Sequence, residues 1–326
     1  MEPTLTPVAP NPVADRDRAT PDLTVVILTF NEAHHIERSI ASVATIARDV
    51  LVIDSFSTDD TVERARRAGA RVLQNRFVNQ ARQFQWGLEH GDIASAWIMR
   101  LDADEVIEPD LAAELARRLP DMPADVAGMN FDRKHIFMGR WIRHGGRYPL
   151  RLLRVFRTNQ GRVEDRWMDE HVVVWGGKTV TLKGGFADIN LNDLTFFTDK
   201  HNKYATREAI EQLSQRYGLF ARDDAHAADA VAGQAGTKRW LKEALYNKLP
   251  FWVGPTGYFL YRYIGQLGFL DGRPGLIYHF LQGFWYRFLV GAKVVELEEA
   301  MRDCTTNAAR IARLKSLTGL SLGAPS

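Results

Sequence analysis

The run Leu23-Thr24-Val25-Val26-Ile27-Leu28-Thr29-Phe30, followed at once by Asn31-Glu32, is the point from which the architecture can be read. It is rich in β-branched residues and has no polar face, the pattern of a strand covered on both sides in a parallel sheet. Downstream, Ile36, Ile40, Val43 and Ala44 recur at helical spacing within Ala33–Ala47, and Asp49 to Asp54 (DVLVID) is a second strand of the same buried type. A helix from about Asp59 to Ala68 stops at Gly69, Arg71 to Gln74 is a short strand, Asn79 to Glu89 is a helix ending before Gly91, and Ala96 to Leu101 is a fourth strand. Strand and helix alternating in this way specify an α/β fold, with a parallel sheet and right-handed crossovers.

Beyond Pro120 the pattern changes. Val126–Met138, Leu152–Arg157, His171–Trp175 and Lys178–Ala187 read as strands punctuated by Gly pairs, and Thr198–Tyr217 reads as a helix. Residues 221–236 are rich in Ala and Asp with interspersed Gly, the composition of a mobile linker or insertion. The chain after Thr237 reads as helical, broken at Pro250, Pro255 and the turn Gly268–Gly275. The expected organisation is a disordered leader over 1–22, an α/β domain over 23–220, a linker over 221–236 and a helical, aromatic-rich region over 237–326. The leader holds five prolines and no apolar run, so it does not read as a secretion signal.

With 326 residues, 45% hydrophobic and 25% charged, the chain has ample material for a buried core and is no low-complexity polymer. A single cysteine, Cys304, excludes an intrachain disulfide and a Cys-rich metal site. Lys and Arg (42) nearly balance Asp and Glu (40), which argues against a nucleic-acid partner.

In an open parallel sheet, ligands sit outside the carboxyl ends of the strands. Three strands end there in polar or acidic groups: Thr29-Phe30-Asn31-Glu32, Asp54, and Asp102-Ala103-Asp104-Glu105. A lone acid at a strand end is an ordinary helix cap or loop carboxylate; three at one edge suggest a site. No Gly-rich loop follows the first strand, which removes dinucleotide and P-loop readings. Asp102 and Asp104, two apart, can turn to the same side. Unpaired they repel, and a divalent cation bridging them to substrate phosphates resolves the repulsion.

The string Val25-Val26-Ile27-Leu28-Thr29-Phe30-Asn31-Glu32, the turn Asp54-Ser55-Phe56-Ser57-Thr58-Asp59-Asp60-Thr61 and the segment Leu101-Asp102-Ala103-Asp104-Glu105 together resemble family 2 glycosyltransferases of the GT-A fold, a mostly parallel Rossmann-like sheet flanked by helices. The resemblance implies an inverting, hexosyltransferase-type enzyme that takes a sugar from a nucleotide diphosphate sugar, a UDP-sugar first among them, with Mg²⁺ or Mn²⁺. It implies that Leu28, Thr29, Phe30, Glu32, Asp54, Arg82, Asp102 and Ala103 line the nucleotide sugar, and that Asp102 and Asp104 hold metal and diphosphate. The family usually carries Asp-Asp-Gly-Ser where this chain has Asp54-Ser55-Phe56-Ser57.

Inverting transfer needs a base for the acceptor hydroxyl, and a carboxylate suffices. The resemblance places it downstream of the metal site, where Glu164-Asp165 and Asp169-Glu170 are the candidates; Asp169-Glu170 is preferred because the strand after it would hold it in place. His201 or Asn190 is the expected completion of the metal or diphosphate site. Arg147, Arg151 and Arg154, near Tyr148-Pro149, would receive an acceptor phosphate through guanidinium forks. Arg154-Val155-Phe156 is similar to a segment of the lipopolysaccharide-core and exopolysaccharide members of the family.

Of 34 aromatic residues, 14 lie between Tyr246 and Phe288. The uncharged runs there are shorter than the roughly 20 residues that span a bilayer. A helical cap completing the core is one reading. The other, preferred here, is an interfacial membrane element whose Lys and Arg meet anionic lipid. The expected picture is a peripheral enzyme at the cytoplasmic face of the inner membrane, extending a lipid-linked saccharide in cell-surface polysaccharide synthesis. The alternatives are a nucleotidyltransferase on a similar sheet and a non-catalytic glycan- or lipid-binding scaffold.

Overall fold

The computed structural model describes residues 20–164, 171–220, 250–320 and 322. The leader up to residue 19 and the linker expected over 221–236 lie outside the described residues.

Four strands form the first half of the main sheet: β1 (Leu23–Thr29), β2 (Asp49–Asp54), β3 (Arg71–Gln74) and β4 (Trp97–Asp102). They run in the order β3-β2-β1-β4, every neighbouring pair parallel. The chain moves outward from β1 to β3 through α1 (Ile36–Val43) and α2 (Thr61–Arg67), then crosses back through α3 (Gln80–His90) to β4 on the other side of β1. The order therefore reverses between β1 and β4, the switch point where ligand crevices open in such sheets. Ile36, Ile40, Val43 and Ala65 pack on one sheet face and Ala81 and Phe84 on the other, so β1 and β2 are covered on both sides. Strands buried in this way need no polar face, which is why LTVVILT and DVLVID lack one.

Helix α1 is shorter than its apolar spacing suggests. Residues 31–35 are a turn beginning with Asn31 at φ 56°. Its backbone amides are satisfied by side chains of the neighbouring loop: Asn31 N donates to Ser57 Oγ at 2.8 Å and Glu32 N to Thr61 Oγ1 at 2.8 Å.

The second half of the sheet is mixed. Strands β5 (Glu105–Ile107), β6 (Val126–Phe137), β7 (Arg140–Trp141), β8 (Leu150–Arg157) and β11 (Lys178–Ile189) extend it in the order β4-β8-β6-β11-β5. β8 runs against both neighbours, β6 and β11 are parallel, β5 runs against β11, and β7 pairs with β6. β9 (Gly161–Val163) and β10 (Val172–Val174) make a separate antiparallel pair. Two elements the periodicity did not reveal, β5 and α4 (Pro109–Arg118), come directly after the Asp-rich turn. Short as it is, β5 positions the site: its pairing of Glu105 with Asp188 brings the end of β11 beside Asp104.

Helix α5 (Leu194–Tyr217) packs along α8 (Tyr286–Ala300), and Leu314 of α9 (Asn307–Thr318) helps close a separate apolar cluster with Ala209, Ile210 and Leu213. Between residues 250 and 285 lie α6 (Val253–Leu260), a π turn (Tyr261–Gly265), a 3-10 turn (Gly268–Asp271), α7 (Gly272–Tyr278) and a π-helical stretch (His279–Trp285) running into α8. Pro255 does not break the helix as expected from sequence. It sits in the first turn of α6, and Pro274 in the first turn of α7, where backbone amides have no intrahelical acceptor to lose. Among the described residues, no helix is long and apolar enough to cross a membrane.

Candidate active site

A cleft of about 2080 Å³ opens beside the end of β4, walled by β6, β8, α5 and the π-helical stretch. The β4–β5 turn alternates: Ala103, Glu105 and Ile107 are buried, while Asp102 and Asp104 line the cleft. The two-apart spacing thus puts both aspartates on the same side, and Ala103 packs into the core rather than toward a ligand.

The two aspartates meet different surroundings. Against the burial that would raise it, Arg154, Arg100 and Arg133 hold Asp102 down to about 2. Arg154 Nη2 donates to Asp102 Oδ2 at 3.3 Å, and Arg100 Nε stands 3.7 Å from Oδ1. Asp104 is pushed up to about 6, first by burial, then by the charges of Asp188 and Asp102. Its only hydrogen-bond donor among the described side chains is Asn190, whose Nδ2 lies 3.1 Å from Oδ2. Asp188 itself, despite its burial, is held low by His135 (3.1 Å) and Arg133 (3.6 Å). Of the three aspartates Asp102, Asp104 and Asp188, Asp104 is the one whose charge is under-compensated.

Two residues outside the sequence expectation fix this geometry. Buried His35 meets Glu32 Oε2 through Nδ1 at 2.6 Å and accepts the Leu191 amide at Nε2, 2.9 Å. With Nε2 an acceptor, the ring carries its proton on Nδ1, facing the Glu32 carboxylate. Arg38 donates to Ile189 O at 2.6 Å. Together they clamp the loop bearing Asp188 and Asn190 onto the turn after β1. Histidines and arginines in a first-turn helix carry no special sequence signal, and their partners lie more than 150 positions away.

Residues 24–186, half of the chain, match the sequence profile of glycosyl transferase family 2. The chain belongs to that family. Its curated relatives include uncharacterised glycosyltransferases of Rickettsia felis, 37% identical over 93 residues (28% of this chain, 32% of that protein), and of Rickettsia bellii, 38% identical over 96 residues (29% and 32%). The match spans about a third of the length of these relatives. Among solved structures, glucosyl-3-phosphoglycerate synthase from Mycobacterium tuberculosis in complex with Mn²⁺, UDP and glucosyl-3-phosphoglycerate is matched at 18% identity over 63% of this chain and 82% of that one, with a TM-score of 0.37.

Several residues of this glycosyltransferase sit elsewhere than the resemblance implied. Asp54 has no solvent exposure, and its carboxylate accepts from Thr29 Oγ1 (3.1 Å), Ser57 N (2.9 Å), Ser57 Oγ (2.5 Å) and Gln74 Nε2 (3.0 Å). Its oxygens hold the turn together and tie it to β1 and β3. Ser57, the position at which the turn keeps the serine of Asp-Asp-Gly-Ser, supplies two of those bonds; the departures are Ser55 and Phe56. Thr29 is buried beside Asp54, Leu28 packs under the sheet, and Phe30 projects into solvent; none of the three lines the cleft, nor does Glu32. Arg82, at the start of α3, does line it.

Arg154 differs from the other two arginines in its burial. It lines the cleft with Arg147 and Arg151, but at the nearly buried floor, its Nη2 also donating to Glu105 Oε1 at 2.5 Å and its guanidinium 5.3 Å over Phe186. Arg151 pairs with Asp132 at the exposed edge, while Arg154 is buried at the irregularity in the β6–β8 pairing between Leu153 and Val155. Arg147 lies over the Tyr278 ring at 5.4 Å, and both it and Arg151 remain on the cleft wall.

His201 lines the cleft too, stacked on Phe197 with Nδ1 bonded to the Phe197 carbonyl, and burial lowers its proton affinity. It makes no bond to either aspartate; Asn190, the alternative in the sequence, does. Lys200, one position earlier on α5, is the cation facing the acids: burial opposes its charge, and Tyr204, Asp104, Glu32 and Asp188 outweigh that. Asp165, Asp169 and Glu170 lie outside the described residues; His171, next along the chain, lines the cleft.

The donors fit a hard divalent cation. They are carboxylate oxygens, and Asp104 is a buried carboxylate short of positive charge. Among the described residues no three His, Cys, Asp or Glu side chains gather as a ligand set. Mg²⁺ ordinarily takes one or two carboxylates and completes its shell with substrate phosphate oxygens and water, so two aspartates suffice.

Proposed function

We propose that the protein transfers a hexose, with inversion, from a nucleoside diphosphate sugar, a UDP-sugar first among candidates, to a hydroxyl of a lipid-linked saccharide in cell-surface polysaccharide synthesis. The observation that supports this most directly is Asp102 and Asp104 side by side on the wall of a large cleft at the sheet's switch point, one neutralised by arginine and the other not.

Asp104, with Asp102 beside it, would hold Mg²⁺ or Mn²⁺ and so the donor diphosphate. When bound, the cation supplies positive charge to the diphosphate oxygens as they leave. Lys200 adds charge from the α5 side of the same wall. Asp169 or Glu170 takes the acceptor hydroxyl proton as that oxygen attacks the anomeric carbon from the face opposite the diphosphate. Arg147 and Arg151 bind a phosphate carried by the acceptor, and the cleft has room for an oligosaccharide beside the donor. The enzyme works as a peripheral protein at the cytoplasmic face of the inner membrane.

The test is a panel of nucleoside diphosphate sugars presented with Mn²⁺, read first as a rise in melting temperature and then by product. A ligand bound only by the folded state raises Tm. Release of a nucleoside diphosphate with sugar transferred supports the reading. Pyrophosphate release makes the protein a nucleotidyltransferase, and sugar transfer undiminished in excess chelator removes the metal.

A further inference from the structure

The segment from Phe251 to Phe280 is built inside out. Its buried residues include Arg262 and Asp271, both nearly without solvent exposure, while its exposed ones are aromatic and aliphatic. Ten of the twenty-one exposed large apolar side chains among the described residues lie in this one stretch, among them Trp252, Leu260, Tyr261, Ile264, Leu270 and Phe280. Isolated exposed apolar side chains are ordinary; a concentration of them on one set of packed elements is not. The elements do pack on one another: α6 lies against the π-helical stretch, and the π turn against the 3-10 turn that leads into α7.

The buried charges are latches. Arg262 Nε donates to Gly145 O at 2.6 Å, and Gly145 N donates back to Gln266 O at 2.9 Å. Asp271 accepts from the His144 backbone at 2.9 Å and meets His144 Nδ1 at 2.6 Å. The polar groups of the segment are thus directed to the β7–β8 loop of the catalytic domain, which leaves the apolar side chains outward.

The charges that remain outside have one sign. Between residues 250 and 295 the sole acid is Asp271, which is buried, while Arg273 is exposed and Arg287, over the Tyr258 ring at 4.1 Å, stands at the cleft. An apolar face with no exposed acid, carrying Trp, Tyr and the exposed Arg273, complements the headgroup layer of an anionic membrane. None of its helices is long and apolar enough to cross a bilayer, so contact would be with the interface. On the other side of the same helical run, Tyr278, Gln282 and Tyr286 line the cleft.

We propose that residues 251–280 form a docking face for anionic lipid, held to the catalytic domain by Arg262 and Asp271, that seats the cleft at the membrane surface. This deepens the reading of a lipid-linked acceptor and rests on it for its purpose, though not for its test. The full chain is sedimented with phosphatidylcholine vesicles with and without phosphatidylglycerol. Ile264→Asp and Leu270→Asp, both on exposed side chains away from the cleft, are compared with Leu317→Asp, an exposed apolar residue on α9. The expected result is binding that favours phosphatidylglycerol, a loss on the order of tenfold for each of the first two variants (about 1.4 kcal/mol), and no change for the third. Transfer to a water-soluble acceptor stays intact in all three. Equal binding by all variants, equal binding to both vesicles, or an oligomer dissolved by Ile264→Asp overturns the docking face. Vesicle binding without any sugar transfer leaves the docking face standing and defeats the enzymatic reading.

Discussion

Replacing Arg154 by Met tests whether this residue binds ligand from the cleft or holds the floor of the cleft together. The guanidinium donates from Nη2 to Glu105 at 2.5 Å and Asp102 at 3.3 Å, and lies over Phe186. Glu105 is almost without solvent exposure, and burial already pushes it up to about 8, with Arg154 opposing. Hydrogen bonds to charged groups contribute about 1.5–3 kcal/mol each, and Arg154 makes two of them. Met retains most of the apolar stem, so the loss is chiefly electrostatic. We therefore expect Arg154→Met to lower the unfolding free energy by about 3–5 kcal/mol in urea, with an unchanged m value. Adding Glu105→Gln replaces the buried carboxyl that has lost its guanidinium partner, so the double variant is more stable than the sum of the singles by about 1–3 kcal/mol. Arg151→Met, which breaks an exposed pair with Asp132, costs at most about 1 kcal/mol. If Arg154→Met has wild-type stability and instead raises the acceptor KM, the supporting role of Arg154 at the cleft floor is refuted.

Asp104→Asn is expected to reduce kcat/KM for sugar transfer at least about a hundredfold, equivalent to about 2.7 kcal/mol, while raising the melting temperature of the metal-free protein by removing repulsion among Asp104, Asp188 and Asp102. Full activity in this variant would count against the metal assignment. His35→Leu strands the Leu191 amide and the Glu32 carboxylate, at a cost of about 1–3 kcal/mol, and is read by faster hydrogen exchange at Leu191; unchanged protection there would remove the clamp. Acidification probes His279, which is buried and lowered to about 4 by that burial and by Arg262, with Arg147 and His144 adding to the effect and Asp271 opposing it. The unfolded histidine binds its proton near 6.5 and the folded one near 4, so stability falls as pH drops through this window, by at most about 3 kcal/mol. His279→Gln should flatten that slope in urea unfolding; an equal slope in both proteins would assign it to other groups.

The strands β1 to β4 were legible from their residues because a strand buried on both faces must be apolar throughout and must end where polar groups begin. The expected Asp49–Asp54 and Arg71–Gln74 are the observed spans, and the two-residue period of an extended chain was enough to put Asp102 and Asp104 on one side. The site's remaining members were not legible in that way. Arg154 carries the same letter as its neighbours Arg147 and Arg151, and only its place in β8 turns it inward. Three-residue β5 is too short to show a period, yet it aligns Asp188 with Glu105 and so brings Asn190 to Asp104.

The parallel α/β core, its crossovers and the acidic turn at the carboxyl end of the fourth strand are written in the amino acids themselves, because each arises from periodicity within a few neighbouring residues. Which acid keeps its charge, which histidine serves the site and which way the aromatic segment faces emerge only once the chain is folded. Those depend on partners far apart in the chain: Arg154 and Glu105 are 49 positions apart, Arg262 and Gly145 117, and His35 and Leu191 156. Electrostatic compensation and burial are properties of distance in space, and no local pattern encodes them.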